Sequence, residues 1–292
     1  MAHQHEHPSG KNLRLAFFLN VGFTILEIIG GLFTNSVAIL SDALHDLGDS
    51  LSLGVSWFLE RKSHKKANLR FTFGYKRFTL LGALINSLVL ISGSVFIISE
   101  AIQRLQNPEP ADAQGMVWFA ILGVIVNGYA AWKVSSGKTL NERVVSWHLI
   151  EDVLGWVAVL IVSIVLLFTD LYFLDPALSL LITLYVLYNV IKRLKETLSI
   201  FLQARPDNVD LDEVIRNIKE DPKVKSLHHT HLWSLDGEHH VFTTHICLQN
   251  VRSFNEVVAC KQRLKEMLKK DYRFSHYTIE TELDAESCSL RS

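Results

Sequence analysis

The sequence predicts an all-α membrane bundle of six spanning helices, followed by a small α+β domain. Two observations lead to this prediction. The first two thirds of the chain contain six apolar segments, each close to the length of about 20 residues that a helix needs to cross a bilayer. After about residue 204 the composition changes to that of a soluble domain, with amphipathic helices and alternating strands.

The six spans are predicted from hydrophobicity and from the charge of the short connections. Basic residues cluster in the loops after the second, fourth and sixth spans, and RKSHKKANLR at 61–70 alone contains five Lys and Arg. The opposite connections together hold one Arg. The positive-inside rule therefore predicts that both termini lie in the cytoplasm. The predicted spans are roughly 13–33, 36–59, 78–103, 115–134, 144–168 and 176–199.

The C-terminal region reads as helix, strand, strand, helix, strand. LDEVIRNIKE at 211–220 and SFNEVVACKQRLKEMLKK at 253–270 have helical periodicity, and Asp236-Gly237 marks a hairpin between the first two strands. The order αββαβ predicts a two-layer, ferredoxin-like or metallochaperone-like domain. The predicted divisions are a His-bearing cytoplasmic tail at 1–12, the membrane domain at 13–203, the α+β domain at 204–285 and a tail at 286–292.

Composition excludes several classes of function. The formal net charge of −1 offers no basic face for nucleic acid. The three cysteines have no CxxC spacing, and the chain contains neither a GxxxxGK[ST] nucleotide loop nor an HExxH zinc motif. The sequence therefore predicts neither an ATP-driven pump nor an enzyme.

Ionisable residues stand inside two of the predicted spans. His45 and Asp49 in the second span are spaced i, i+4, and so are His148 and Asp152 in the fifth. That spacing puts each pair on one helical face. Two imidazole nitrogens and two carboxylate oxygens form a tetrahedral set suited to Zn²⁺. Charge in a bilayer core is costly and usually marks an ion path.

Other polar residues in the spans have more ordinary explanations. Asp42, near the start of its span, is expected to cap the helix or meet water. Asp46 and Glu151 point about 100° away from the neighbouring ligands, so they support a ligand or line a hydrated cavity. Interhelical hydrogen bonding is the expectation for Glu27, Asn20, Asn86 and Asn127.

Four segments together resemble the cation diffusion facilitator family, the bacterial relatives of the ZnT zinc transporters. They are ALHDLGDSL, HLIEDVLG, FTFGYKRFTLLGALIN and HHTHLWSLDGEHH, and the resemblance covers essentially the whole chain. It implies a homodimer in the bacterial cytoplasmic membrane that exports a divalent metal in exchange for protons. The transport site it implies falls on His45, Asp49, His148 and Asp152, and the His form implies a preference for zinc.

The resemblance also implies a metal site in the cytoplasmic domain. Its matching positions are His228 on the first strand, His245 on the second, and Glu280 or Glu282 on the last, with zinc as a structural or regulatory ion. Relatives have a His-x-Asp pair where this chain has Glu280-Thr281-Glu282, so the number of ions stays open. Arg77 and Asp207 match an ion pair that relatives form at the dimer interface.

Strand alternation predicts how the remaining histidines are arranged. It joins His229 with His231 on one face and leaves His228 with Thr230 on the other. Surface positions without a ligand role are the expectation for His229, His239 and His240. Outside the strands, His64 in the basic loop, and the tail residues His3, His5 and His7, are weaker candidates for metal contacts. The basic loop itself is expected to meet anionic lipid headgroups.

Competing functions remain open at the level of the sequence. Export of Cd²⁺, Mn²⁺ or Fe²⁺ would use the same architecture with different selectivity. A membrane-anchored zinc sensor or storage protein would use only the soluble domain, which leaves the paired ionisable residues of two spans unexplained.

Overall fold

The computed structural model describes residues 10–63, 67–135, 140–272 and 274–283. Side chains are described for these residues except 10–16, 19, 53, 56, 57, 59–63, 133–135 and 140–149. Six long helices come first, and each contains the core of one predicted span. Their bounds are α1 Gly10–Thr34, α2 Val37–Ser63, α3 Phe78–Gln106, α4 Ala113–Ser135, α5 Leu140–Phe168 and α6 Leu174–Phe201.

Four of the described helical segments are long and apolar enough to cross a membrane: Phe78–Gln106, Ala113–Trp132, Ile150–Phe168 and Leu174–Phe201. Asn20–Thr34 is a shorter apolar segment. The second helix carries three aspartates in its first half, and it is not among the four. The helices expose large apolar side chains as lipid-facing surfaces do: Phe96, Trp118, Ile125, Leu154 and Leu181 are each more than half exposed.

The chain divides into two compact units. The helical unit contains Met1–Lys62 and Leu81–Leu194, and the sheet unit contains Ser63–Leu80 and Lys195–Ser292. In the helical unit, Trp156 of α5 is buried against Ile39, Met116 and Ala120. Gly123 of α4 permits this contact, because a Cβ atom there would collide with the Trp156 ring.

The sheet unit has the predicted element order αββαβ. It contains α7 Leu211–Lys219, β1 Val224–Ser234, β2 His240–Leu248, α8 Phe254–Asp271 and β3 His276–Leu283. The sheet order is β1-β2-β3, with β1 and β2 antiparallel and β2 and β3 parallel. The predicted turn is present, since Gly237 has a φ of 101° that glycine adopts readily.

The core of the sheet unit lies between its helices and one face of the sheet. Val214 and Ile218 of α7, Leu268 of α8, and Phe242 and Ile246 of β2 are all fully buried there. Because strand residues alternate between faces, His245 points to the other face. The packing of one face therefore leaves the opposite face available for polar side chains.

Candidate metal sites

Three of the four ligands predicted for the second and fifth spans line one cavity of the helical unit. The cavity has a volume of about 320 Å³. His45 and Asp49 reach it from α2, Asp152 reaches it from α5, and Asn86 of α3 closes another side. Further polar residues on its wall are Asp42, Glu151, Tyr185, Asn189 and Arg193.

One distance links the two helices. His45 Nε2 lies 3.7 Å from Asp152 Oδ1, and both side chains are largely buried. Asp49 lines the same cavity but does not form a compact three-ligand group with them. His148 belongs to α5 one turn before Asp152, and its side chain lies outside those the structure describes. The four-ligand set therefore stays a prediction.

The expected supporting residues differ in their surroundings. Asp42 and Asp46 are both buried, so Asp42 is not the solvated cap that the sequence suggested, although it does line the cavity. Glu151 is exposed and accepts a hydrogen bond from Tyr185 Oη at 3.2 Å. Glu27 of α1 is 1% exposed, and its carboxyl group faces that of Asp46 on α2. This contact between helices agrees with the expectation for Glu27.

The three asparagines of the spans differ in whether their side chains bond to another helix. Asn20 donates from α1 to the backbone oxygen of Asp46 at 3.1 Å and to Ser50 Oγ at 3.0 Å. Asn86 donates from α3 to Ser52 Oγ at 2.7 Å. These two are interhelical partners as predicted. Asn127 was predicted wrongly, because its amide donates to the carbonyl four residues earlier in its own helix.

The start of α2 is held by a residue that sequence reasoning missed. Asp175 at the beginning of α6 accepts hydrogen bonds from the hydroxyl of Ser36 at 2.5 Å and from the backbone N–H of Val37 at 2.7 Å and of Ala38 at 3.3 Å. Further along, the hydroxyls of Ser41 and Thr183 are 2.7 Å apart. A carboxylate stabilises the N-terminus of a helix. Sequence reasoning missed this cap because Asp175 lies 138 residues away in sequence from Val37, which it caps.

A cluster of candidate metal ligands lies on the polar face of the sheet. His228 pairs with His245 across β1 and β2, and His245 pairs with Glu280 across β2 and β3. Glu282 Oε1 lies 3.1 Å from His228 Nε2 and 2.9 Å from His245 Nδ1. Among the described residues, His228, His245 and Glu282 are the one group of three ligands whose atoms lie within 4.8 Å of one another. We call them the sheet cluster.

Glu280 and Glu282 take different positions around His245. Glu280 is mostly exposed, and its Oε2 lies 3.4 Å from Nε2 of the imidazole. Glu282 is buried and reaches Nδ1 on the other side of the ring. A metal bound at Nδ1 leaves the Nε2 proton for Glu280, and this kind of outer carboxylate orients a ligating histidine.

A β-bulge overturns the predicted arrangement of His228 and its neighbours. The β1–β2 register shifts between His228 and His231, and His229 has a φ of 49°. The extra residue breaks strict alternation. His228 therefore turns towards His245, whereas the hydroxyl of Thr230 lies 2.7 Å from that of Thr244 on the core side. His229 and His231 do lie together, with ring centroids 4.5 Å apart.

The surroundings of three other residues of this domain bear on whether they could bind metal. His240, expected at the surface, is 5% exposed, and burial lowers its pKa. His239 contacts the hairpin turn: its Nδ1 atom lies 2.7 Å from Asp236 Oδ2. Burial also raises the pKa of the Cys260 thiol to about 11, which keeps the thiolate needed for metal binding scarce at neutral pH.

Several predicted residues receive no test in the structure. His3, His5, His7 and His64 lie outside the described residues. Arg77 and Asp207 are not paired with each other among the ion pairs of the described residues. Their predicted pairing across a dimer stays a prediction.

Comparisons with known proteins indicate one protein family over most of the chain. The family description "Cation efflux transmembrane domain" matches residues 13–202, and "Cation efflux protein, cytoplasmic domain" matches residues 206–284. The zinc transporter ZitB of Pectobacterium atrosepticum is 36% identical, with 99% of this chain and 92% of the relative covered. The cadmium, cobalt and zinc/H⁺-K⁺ antiporter of Bacillus subtilis is 34% identical over 98% of this chain and 93% of its own.

CzcD of Cupriavidus metallidurans, a metal cation efflux system protein, is 35% identical over 96% of this chain and 90% of its own. The solved metal-bound C-terminal domain of the CzcD transporter from that organism is 37% identical, with 26% of this chain and all of that chain covered and a TM-score of 0.23. With its long apolar helices, the protein is an integral membrane transporter of divalent metal cations rather than an enzyme. The chain belongs to the cation efflux, or cation diffusion facilitator, family.

Proposed function

We propose that the protein exports Zn²⁺ from the bacterial cytoplasm in exchange for protons, binding the ion in transit through His45, Asp49, His148 and Asp152. The observation that carries the proposal is the approach of His45 and Asp152 to 3.7 Å inside the cavity of the helical unit. These residues come from different helices of a cation efflux protein. Their meeting is what a shared ion would require.

The chemistry of the ligand set supports zinc. Tetrahedral zinc with ligands at about 2.0–2.1 Å separates neighbouring ligand atoms by roughly 3.4 Å. The observed 3.7 Å is close to this separation. Imidazole nitrogens favour zinc over Mg²⁺ and Mn²⁺, which prefer all-oxygen surroundings.

Proton exchange follows from the protonation that the ligands need. Zinc binds neutral imidazole and ionised carboxylate, so ligand protons leave as the metal enters. A site that takes up metal from the cytoplasm and protons from the other side exchanges one for the other. Rocking of helix groups about the site would provide alternating access. The basic loops support cytoplasmic termini.

We further propose that the sheet cluster holds a zinc ion, with Glu280 orienting His245. Two imidazoles and one carboxylate are suitable zinc donors, and their ligand atoms all lie within 4.8 Å of one another. The matched cytoplasmic domain supports a homodimer, in which Arg77 and Asp207 pair between protomers. We place the boundary between the membrane and cytoplasmic domains at residues 203/204.

Flux measurements in proteoliposomes test the transport proposal. Zinc uptake into vesicles is followed with and without an imposed pH gradient, together with a panel of divalent metals. The expected result is zinc flux that rises with the gradient and is accompanied by opposite proton movement. Zinc flux that ignores the gradient would remove the antiport mechanism.

Export of a broader set of divalent metals is the second candidate. Two similar proteins, both from Bacillus, are named as cadmium, cobalt and zinc/H⁺-K⁺ antiporters. The same vesicles distinguish the candidates by competition. Equal inhibition of zinc flux by Cd²⁺ and Co²⁺ would favour the broader exporter, and replacement of K⁺ by Na⁺ tests for a potassium requirement.

A further inference from the structure

The turn between α1 and α2, residues 34–36, is held by two other helices of the helical unit. From the end of α3, Arg104 Nη1 donates a hydrogen bond to the backbone oxygen of Asn35 at 2.7 Å. From the start of α6, Asp175 accepts the three hydrogen bonds from the start of α2. The turn is therefore fastened to α3 and α6 where α1 and α3 end and α2 and α6 begin. We call this the outer end of the unit.

A second attachment between α2 and α6 lies about one turn further along α2. The hydroxyls of Ser41 and Thr183 are 2.7 Å apart, and both residues are at most 2% exposed. Next to them, Val37 of α2 packs with Ile97 and Ala101 of α3, and these three residues are also buried. The first turns of α2 are thus bonded to α6 and shielded from water by apolar packing.

The cavity with the proposed transport ligands extends away from these attachments. On α2 its lining begins at Asp42, directly after Ser41, and on α6 it runs from Leu181 to Arg193. Since α6 begins at the outer end, this lining follows the later turns of the helix. With the proposed cytoplasmic termini, those turns lead towards the cytoplasm. The two attachments between α2 and α6 therefore stand between the cavity and the other side of the membrane.

The chemistry of the two attachments allows them to open and close. Each consists of hydroxyl, carboxylate or N–H groups, and water can bond to all of these. Separating α2 from α6 at the outer end therefore exchanges protein hydrogen bonds for bonds with water at a small net cost. Alternating access needs such a reversible closure, because an exported ion leaves the site on the side opposite to its entry.

We propose that Asp175, together with the hydroxyl pair of Ser41 and Thr183, forms the outer gate of the transporter. Asp175 is a positioning residue: it holds the start of α2 against α6 while the cavity is open to the cytoplasm. Its bonds to α2 are released when the cavity opens to the other side. This inference rests on the proposed direction of transport and on cytoplasmic termini, and it adds the residues that control access from the outer side.

Labelling of an introduced cysteine tests the gate without any metal or proton movement. Ile182→Cys places the reporter on the cavity wall. A membrane-impermeant thiol reagent is added to right-side-out or inside-out vesicles, and the labelling of the chain without the reporter is subtracted. With the gate intact, we expect slow labelling from the outer side and fast labelling from the cytoplasmic side. Asp175→Ala is expected to raise the outer rate at least about tenfold, because the rate follows the fraction of open molecules.

Ser41→Ala is the second variant, since it removes only the hydroxyl pair, and a smaller rise in the outer rate is expected. Asp170→Asn, in an exposed loop at the same end of the unit, is the matched control. Outer rates equal to that of the control in both variants overturn the proposal. Equal acceleration from both sides also overturns it, because general loosening of the unit would then explain the result.

The kinetics of zinc export provide a second readout of the gate. Opening the outer side lowers the fraction of molecules whose cavity faces the cytoplasm, so KM for cytoplasmic zinc is expected to rise at least about threefold in Asp175→Ala. A protein that is only less stable loses flux at an unchanged KM, and that outcome overturns the proposal. If zinc flux proves independent of protons, the antiport mechanism fails while the labelling rates still decide the gate.

Discussion

The cavity of the helical unit and the sheet cluster contain the same kinds of candidate ligand, imidazole and carboxylate, on different scaffolds. In the cavity, His45 and Asp152 come from separate helices and remain 3.7 Å apart. In the sheet cluster, His228, His245 and Glu282 come from three hydrogen-bonded strands and approach within 3.1 Å and 2.9 Å. Backbone register positions the side chains of the sheet cluster, whereas helix packing positions those of the cavity.

This difference matches the task proposed for each site. A transported ion must be bound and then released, so ligands on separable helices are an advantage. A resident ion benefits from ligands that are already in place, because less ordering is required on binding. The contrast therefore predicts that mutations in the two sites separate transport from stable metal retention.

The largest expected effect is loss of transport on changing the helical site. Asp152→Ala, and equally His45→Ala, is expected to reduce zinc flux in proteoliposomes to background, because each removes one of the proposed ligands. Metal retained by the sheet cluster, measured by equilibrium dialysis, is expected to be unchanged. Asp170→Asn, in an exposed loop, is the control. Undiminished flux in either ligand variant would contradict the site assignment.

A sharper comparison lies within the sheet cluster. Glu280→Gln is expected to weaken zinc retention roughly 10-fold, as for an outer residue that orients a ligand. Glu282→Gln removes a proposed ligand and is expected to weaken retention by more than about 100-fold. Equilibrium dialysis of the full chain measures both. Equal effects of the two variants would show that the glutamates have equivalent roles.

The next effect concerns the scaffold of the helical site. Asp175→Ala removes three hydrogen bonds to the start of α2, and a loss of about 2–3 kcal/mol in unfolding free energy is expected. Unfolding of the detergent-solubilised chain measures this change. Asp170→Asn again serves as the control. Matching stability of the two variants would mean that packing alone holds α2.

The smallest expected effect is a pH dependence in the sheet unit. Burial lowers the pKa of His240, so its contribution to stability is present above its unfolded value of about 6.5 and is lost as the pH falls through the folded value. His240→Leu is expected to flatten the decline in thermal stability between neutral pH and about pH 5 in chelator-treated protein. Exposed His276→Leu is the control, and identical pH profiles for all three proteins would contradict the prediction.

Sequence patterns predicted the elements of this protein well because those patterns are local. Six apolar segments became six helices, and alternation with a turn at Asp236-Gly237 predicted the hairpin. The i, i+4 spacing of His45 and Asp49 placed both on one cavity wall. Local patterns failed where an irregularity decided the outcome, as at the β1 bulge, where His229 breaks the alternation that had placed His228 with Thr230.

Sequence alone therefore determined the class of the protein, the order of its elements and the types of ligand it carries. Only the tertiary structure decided which ligands meet. Register across three strands brought His228, His245 and Glu282 together, and a bulge at His229 turned His228 towards the cluster. The capping of α2 by Asp175 depends on a contact between segments far apart in the chain. Such contacts leave no periodic trace in the sequence, because they are set by packing geometry rather than by neighbouring residues.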